Sequence, residues 1–176
     1  MRTFIAVEIS KEVRDYLYDL QKELKQKLKG KINWVAKKNL HITLKFLGDT
    51  NEEYLEKIKE KLNEIKFNKF SLELNEIDFF PNKEFVKVVF VNFKEDKNLI
   101  ALQKEVDSNL LRIIDDKQEF SAHVTLGRIK VVKDRKSLLK GKVESKSFEV
   151  NDFSLFKSKL SKDGPKYFKL EEYNLN

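Results

Sequence analysis

Cysteine is absent from this sequence, and histidine occurs only twice. Without cysteine there can be no disulfide bond, no thiolate nucleophile and no cysteine-based metal site, and the absence is typical of a cytosolic protein. The five glycines are scattered, so no glycine-rich phosphate-binding loop is present. No hydrophobic run approaches the length of a membrane span, and the short apolar stretch near the N-terminus does not resemble a signal peptide. We therefore expect a cytoplasmic protein with no membrane partner.

Positive charge is concentrated in the last quarter of the chain. Residues 128–176 contain 13 Lys or Arg against 7 Asp or Glu, whereas the first 127 residues contain 23 against 22. A concentrated positive field favours a polyanion such as RNA. Lys/Glu-rich composition also occurs through genome bias or high growth temperature, so the charge alone leaves nucleic-acid binding open.

The hydrophobic pattern predicts strands and helices without a regular βαβ rhythm. The first predicted elements are a strand over 3–9, a helix capped by Ser10 and stopped by Gly30, a strand over 40–47, and a helix with Thr50 and Glu53 as capping box. The strands FSLEL and EFVKVVFVNF follow, joined by the turn FPNKE, and then a helix over 99–113 and a strand over 120–126. The last predicted elements are a short helix near 137–139 and the segments SFEVNDFSLFKSKL and YFKLEEYNL, joined by the turn SKDGPK. This order favours an α+β fold with antiparallel sheets covered by helices. No low-complexity linker divides the chain, and we expect a single domain over residues 1–176.

The two histidines lie in the same four-residue frame. His41 opens "HITLKFLG", residues 41–48, and His123 opens "HVTLGRIK", residues 123–130. On a strand, each histidine projects to the same face as the threonine two residues later, Thr43 or Thr125, and the apolar neighbours form the other face. The motifs are 82 residues apart, so two similar lobes could each supply one histidine strand to a shared groove. The same alternation directs Phe46 toward the core.

Several interpretations of the paired histidines are open at this point. A histidine on a half-buried strand is often structural, although the repeated frame argues against two such coincidences. A zinc site needs three or four ligands, and the chain has neither cysteine nor a third histidine. No serine stands in a nucleophile-elbow context. We expect no metal and no cofactor.

A facing pair of imidazoles is suited to acid–base catalysis. An unperturbed imidazole titrates near pH 6.5, so one ring can be protonated while the other is a free base. Attack of water on a phosphodiester needs both functions, and threonine hydroxyls can donate hydrogen bonds to the phosphate oxygens. Arg128, one of five arginines, is predicted to share the face of His123 and Thr125 and to grip the phosphate, although Gly127 could introduce a bulge.

The segments "NLHITLKFLG" and "HVTLGR" resemble the paired signatures of the RNA 2′,3′-cyclic phosphodiesterases, also called 2′-5′ RNA ligases, within the two-histidine phosphoesterase superfamily. The resemblance extends to "RTFIAVEI" and "SKLSKDGPKYFKLEEY" and so covers nearly the whole chain. It implies two α+β lobes related by a pseudo-twofold axis, with both motifs facing a central groove.

The resemblance also implies an activity and its residues. An RNA 2′,3′-cyclic phosphate would be opened to a 2′-phosphate without metal or ATP, with His41 as proton donor and His123 as proton acceptor. Thr43 and Thr125 would hold the phosphate. The reverse reaction would join tRNA halves through a 2′-5′ bond, with a 5′-hydroxyl replacing water.

Three further expectations complete this interpretation. Ala122 stands where the family commonly has proline, which leaves the entry of the second strand freer without removing a functional group. Trp34 and Tyr167 are candidates for stacking on a base. We expect a monomer, and the alternative to an enzyme is a nucleotide- or RNA-binding module of the same fold that performs no chemistry.

Overall fold

The computed structural model describes residues 1–81, 87–114, 119–138 and 141–176. These residues form three α-helices, ten β-strands and two short 3-10 turns. The helices are α1 (Lys11–Lys27), α2 (Glu52–Asn63) and α3 (Lys97–Leu110). The strands are β1 (Arg2–Glu8), β2 (Gly30–Trp34), β3 (His41–Asp49), β4 (Phe70–Phe80), β5 (Val88–Phe93), β6 (His123–Val132), β7 (Gly141–Lys142), β8 (Ser147–Val150), β9 (Asp152–Ser161) and β10 (Gly164–Asn174). The predicted α+β class is confirmed.

The strands form two antiparallel sheets, and each contains one histidine strand. Sheet one has the order β10-β9-β1-β3, so β3 with His41 lies at its edge. Sheet two has the order β2-β6-β5-β4-β7, with β8 paired to β4, and β6 with His123 lies between β2 and β5. β3 also contacts β6, so the two histidine strands are neighbours where the sheets meet. The prediction of two lobes that share a groove is confirmed.

The larger of two hydrophobic clusters among the described residues joins the two sheets to the helices. It contains Leu17 of α1 and Leu102 of α3 together with Ile42 and Val124, which directly follow the two histidines. Burial of such a side chain contributes about 1.5–3 kcal/mol to the stability of the fold. The apolar residues after each histidine therefore anchor both histidine strands to the same core.

Gly30 has a different role from the predicted helix stop. The helix α1 ends at Lys27, and Leu28 caps it with a backbone N–H bond to Leu24. Gly30 instead begins β2, where an added Cβ would lie 2.0 Å from the carbonyl oxygen of Val131. Glycine is needed at this position because two strands approach each other closely there.

The predicted capping box at Thr50 was also wrong. The N-cap of α2 is Asn51, whose Oδ1 accepts a hydrogen bond of 2.8 Å from the Tyr54 backbone N–H. Thr50 is buried and shares a hydrogen bond of 2.7 Å with Thr3 of β1. The side chain of Thr50 thus fastens the end of β3 to β1 instead of starting the helix.

Other boundaries differ by a few residues from the sequence patterns. β4 continues to Phe80, β6 to Val132, and α3 ends at Leu110, before the predicted Ile113. Residues 82–84 of the predicted turn FPNKE lie outside the described residues. A 3-10 turn at Arg135–Ser137 overlaps the predicted short helix at Ser137, and Leu139 of that predicted helix lies outside the described residues. No helix in the described part of the chain has both the length and the apolar character needed to cross a membrane.

Candidate active site

The two histidine strands have the same layout. His41 is the first residue of β3, and His123 is the first residue of β6. In both strands a half-buried histidine and a half-buried threonine alternate with buried apolar residues. Because side chains two apart share a face, His41 projects with Thr43 and His123 with Thr125. The contact between β3 and β6 brings these two polar faces to one place.

A β-bulge follows the threonine of β3. Ile5 and Ala6 of β1 face three residues of β3, 43–45, so one residue of β3 is extra. A bulge reverses the alternation beyond it. Phe46 consequently leaves the core side and is 53% exposed. The prediction that Phe46 faces the core was wrong for this reason.

The strand β6 has a bulge at the matching place. Val89 and Phe90 of β5 face residues 125–127 of β6. In a regular strand Arg128, five residues after His123, would lie on the opposite face, so the sequence-based placement of Arg128 on the face of His123 was wrong for a regular strand. The bulge returns Arg128 to the face of His123. The positive charge of Arg128 lowers the pKa of both His41 and His123, so its guanidinium lies near the histidine pair.

The His41 ring is held by hydrogen bonds at both nitrogens. Its Nδ1 lies 2.6 Å from the backbone oxygen of Asn39, and its Nε2 lies 2.9 Å from Oγ1 of Thr43. A carbonyl oxygen can only accept, so Nδ1 carries a hydrogen and Nε2 is the nitrogen that gains or loses a proton. The ring also packs against Phe4 and Tyr167, with centroids 5.2 and 5.4 Å away.

The His123 ring is fixed in the same tautomer. Its Nδ1 lies 2.6 Å from the backbone oxygen of Ser121, again two residues earlier, and the ring packs against Phe90 at 5.1 Å. Ala122, at the position where the resemblance led us to expect proline, is buried, and the bond from Nδ1 of His123 to Ser121 is present beside it. In the described part of the chain Nε2 of His123 has no hydrogen-bond partner, whereas Nε2 of His41 has Thr43. The two histidines therefore carry hydrogen on the same ring nitrogen, but within the described residues only Nε2 of His41 is hydrogen-bonded.

Both imidazoles have a pKa below the ordinary value of 6.5. Burial is the largest cause in each case, and the carbonyl at Nδ1 opposes it. His123 and Arg128 lower the pKa of His41 further, while the negative charge of Glu8, its register partner in β1, raises it. For His123, the Arg128 charge adds to burial. A bound anion would offset these effects and favour protonation of one ring.

Tyr167 of β10 lies in the same group of side chains. Its ring meets His41 edge-on and Phe4 at 4.8 Å, on the face of sheet one that carries a small cluster of Phe4, Ala6 and Phe156. Burial raises the pKa of Tyr167, and the nearby Arg128 charge lowers it in part. The structure thus brings Tyr167 against His41 and near Arg128.

Trp34 lies elsewhere. Its ring and Ile32 occupy the space beside Gly127, where an added Cβ would be 3.1 Å from Trp34 and 2.8 Å from Ile32. It packs against the main core and has the ammonium group of Lys25 at 5.8 Å from its ring centroid. The structure does not bring Trp34 to the histidine pair, so its substrate contact predicted from the sequence finds no support in its position.

Gln21 of α1 supports the bulge of β6, a contact that the sequence analysis missed. Its side chain is fully buried, and Nε2 donates to the backbone oxygens of Leu126 at 2.7 Å and Val35 at 2.9 Å. Leu126 is the extra residue of the bulge, and its backbone oxygen also accepts from the backbone N–H of Val35 at 2.9 Å, so Gln21 adds a second donor to it. The signal was present in the sequence, because Gln21 lies between Leu17 and Leu24 on the apolar stripe.

The bulge of β3 has a corresponding polar support from α3. Lys45 is buried and forms an ion pair of 2.6 Å with Asp107, which also accepts a hydrogen bond of 2.8 Å from Gln103. Gln103 likewise interrupts an apolar helical stripe. A helix therefore supplies a polar side chain to each bulge: Gln21 of α1 bonds to the backbone of β6, and Asp107 of α3 forms an ion pair with the Lys45 side chain of β3.

One group of carboxylates beside the site has the spacing of a metal site. Oxygen atoms of Glu8, Asp152 and Glu172 lie within 4.8 Å of one another. Nζ of Lys169 lies 2.5 Å from Glu8 and 2.6 Å from Glu172, so an ammonium group offsets part of the negative charge of the cluster. Burial and the neighbouring carboxylates raise the pKa of Asp152.

The arrangement at the groove provides two proton-transfer groups and one fixed cation. In each imidazole Nδ1 is bonded to the backbone, which leaves Nε2 for proton transfer. The two rings are near enough for the charge of His123 to lower the pKa of His41. Such a pair can remove a proton from one oxygen while it protonates another. Arg128 can bind an anionic group between them.

Known proteins share this layout. The profile of the family described as LigT like Phosphoesterase matches residues 7–91 and again residues 92–167, so each half includes one histidine strand. A protein of Methanocaldococcus jannaschii named RNA 2′,3′-cyclic phosphodiesterase is 34% identical over 98% of this chain and 100% of its own length. A protein of Archaeoglobus fulgidus with the same name is 36% identical over 95% of this chain and 96% of its own.

Solved structures agree in fold. The protein TT0787 of Thermus thermophilus superimposes with a TM-score of 0.86 at 26% identity, over 99% of this chain and 97% of its own. E. coli LigT in complex with 3′-AMP superimposes with a TM-score of 0.83 at 22% identity, over 99% of this chain and 97% of its own. Since the family profile covers most of the sequence and the relatives are similar over nearly their whole length, the chain belongs to the LigT-like phosphoesterase family.

Proposed function

We propose that this phosphoesterase opens RNA 2′,3′-cyclic phosphate ends to leave a 2′-phosphate, without a metal ion or ATP, and that residues 1–176 act as one bilobal domain. The observation that carries the proposal is the pair of imidazoles in one tautomer, each with Nδ1 bonded to a backbone oxygen and Nε2 left for proton transfer. The names of the relatives support the substrate class.

His41 acts as the acid in this proposal. The assignment follows the resemblance of the two histidine motifs to the family's paired signatures. Burial, His123 and Arg128 lower the pKa of His41, and the backbone oxygen of Asn39 and the smaller influence of Glu8 oppose them. The anionic phosphate raises the pKa of His41 on binding and favours its protonated form. Nε2 of His41 then donates its proton to the 3′ oxygen as the bond between phosphorus and that oxygen breaks.

His123 acts as the base. Its Nε2 has no partner in the described part of the chain and can accept a proton from water. The water oxygen bonds to phosphorus on the side opposite the departing 3′ oxygen, and its proton moves to His123. Thr43 and Thr125 donate hydrogen bonds to the non-bridging oxygens, and Arg128 neutralises the charge that develops there.

The same site can catalyse a second ring opening with another nucleophile. If the 5′-hydroxyl of a second RNA replaces water at His123, the product is a 2′-5′ bond, as would join tRNA halves. The unoccupied Nε2 of His123, within the described residues, is the feature that would admit either nucleophile. Hydrolysis dominates in this proposal because water is present at far higher concentration.

The test is incubation with an oligoribonucleotide that ends in a 2′,3′-cyclic phosphate, with EDTA present throughout. We expect full turnover and a product with a 2′-phosphate only, identified by its resistance to a 3′-specific phosphatase and by NMR. A 3′-phosphate product would exclude the assigned geometry, and loss of activity in EDTA that added metal restores would exclude metal independence. RNA binding without turnover would support the binding-module alternative.

A further inference from the structure

A cavity of about 330 Å³ adjoins His41 on sheet one. This volume falls in the range of about 300–1,000 Å³ that is usual for small-molecule sites. Its aromatic wall consists of Phe4, Phe156, Tyr167 and Phe168, and Lys38 and Lys166 also line it. The cavity therefore combines apolar surface with positive charge directly beside one catalytic ring.

Lys38 and Lys166 are brought to the same edge of the cavity by a specific hydrogen bond. The side chain of Asn39, which is buried, donates from Nδ2 to the backbone oxygen of Pro165 at 2.8 Å. Asn39 follows Lys38, and Pro165 precedes Lys166, so this bond fixes the two backbones next to each other. The backbone oxygen of Asn39 also accepts from Nδ1 of His41. The basic edge and the catalytic ring are thus held by one residue.

The two lysines are available to a ligand. Both side chains are exposed, and within the described residues neither takes part in an ion pair. Glu8 and Lys169 also line the cavity, but they form an ion pair with each other, and Lys169 binds Glu172 as well. The positive charge that a ligand would meet at this edge therefore comes from Lys38 and Lys166.

The chemistry of ring opening determines which part of the substrate lies here. In an in-line displacement the nucleophile and the leaving oxygen stand on opposite sides of phosphorus. The leaving 3′ oxygen receives its proton from His41 and remains bonded to the terminal ribose. That ribose, with its 5′ oxygen and the phosphodiester attached to it, consequently lies on the His41 side of the groove, where the cavity is.

We propose that Lys38 and Lys166 bind the phosphodiester group on the 5′ side of the terminal nucleoside, so that the enzyme distinguishes an RNA end from a free cyclic nucleotide. The inference rests on the proposed function and on His41 as the acid. Two ammonium groups beside one phosphodiester anion provide a charge contact that a cyclic mononucleotide cannot use.

The experiment compares two substrates. One is adenosine 2′,3′-cyclic phosphate, and the other is a diadenosine ribonucleotide with the same cyclic end. The preference ratio is kcat/KM for the dinucleotide divided by kcat/KM for the mononucleotide. We expect the double variant Lys38→Ala/Lys166→Ala to lower this ratio about tenfold, which corresponds to about 1.4 kcal/mol. The salt dependence of log KM for the dinucleotide should weaken by about 0.7, the value for one phosphate contact in a single strand.

Two controls isolate the contact. The double variant Lys27→Ala/Lys104→Ala removes the same charge from α1 and α3, and it should leave the ratio unchanged. A dinucleotide with a neutral methylphosphonate linkage should lose its advantage with the unaltered protein. An unchanged ratio in Lys38→Ala/Lys166→Ala, or an equal drop in the control variant, would overturn the inference. Absence of turnover with both substrates would instead refute the proposed function, so the two failures can be distinguished.

Discussion

Phe46 and Arg128 occupy matching positions in the two histidine strands. Each lies five residues after its histidine and beyond a bulge, and both side chains are exposed. The two lobes therefore share a backbone design and differ in what they present at this position. One lobe offers an aromatic ring, and the other offers the cation whose charge acts on both imidazoles.

Replacement of Arg128 by alanine should lower kcat/KM for a cyclic-phosphate RNA by about 10- to 100-fold, since a charge-assisted hydrogen bond contributes about 1.5–3 kcal/mol. Arg128→Lys should recover part of the loss, because the charge is kept and the bidentate geometry is not. Steady-state kinetics measure both effects. Arg112→Ala, at an exposed arginine beyond the end of α3, is the control, and an equal loss there would contradict a specific role for Arg128.

Removal of either imidazole should abolish most turnover. His41→Ala and His123→Ala should each lower kcat at least about 100-fold, because a positioned acid or base contributes about 10²- to 10⁴-fold. If the two rings act in one step, kcat of the double variant should lie within about tenfold of kcat of the less active single variant. Single-turnover assays give the rates, and circular dichroism verifies that the variants fold. Activity of either single variant within a few-fold of the unaltered protein would show that the assignment is wrong.

The buried imidazoles make stability depend on pH. Both have a pKa below 6.5 in the folded protein, so the unfolded state binds more protons once the pH falls through that value. The free energy of unfolding should therefore decrease as the pH is lowered from about 7.5 to about 5.5, a range above the titration of ordinary carboxyl groups. Urea unfolding at the two pH values measures the decrease. The double variant His41→Gln/His123→Gln should show a smaller decrease, and an identical one would mean that other groups are responsible.

Gly127 should be needed for the bulge that orients Arg128. In Gly127→Ala the new methyl group would lie 2.8 Å from the Ile32 side chain and 3.1 Å from the Trp34 ring, so these side chains must shift. We expect a loss of about 1–3 kcal/mol in stability, as overpacking of a core commonly causes. Chemical denaturation measures it. The matched control is Gly141→Ala, where the nearest atom is 3.8 Å away, and a similar loss at Gly141 would disprove the packing explanation.

The sequence could predict the layout of the two histidine motifs because that layout lies in local patterns. The alternation after His41 and His123 indicated which side chains share a face, and each histidine lies only two residues from its threonine and from the backbone oxygen that fixes its tautomer. The apolar stripes of the helices and the α+β class followed from periodicity in the same way. The failures, at Phe46 and Thr50, occurred where a bulge or a long-range hydrogen bond overrides the local pattern.

What the amino-acid order determined by itself is the pair of histidine strands, their polar faces and their anchoring apolar backs, since these depend on contacts within a few residues. Only the tertiary structure decided which residues join the pair. Gln21 reaches Leu126, 105 positions away, and Asn39 reaches Pro165, 126 positions away, through hydrogen bonds that no local pattern encodes. Those contacts place Arg128 beside the histidines and two lysines at the edge of the adjoining cavity, because packing of sheets and helices, rather than neighbourhood along the chain, determines the distances between them.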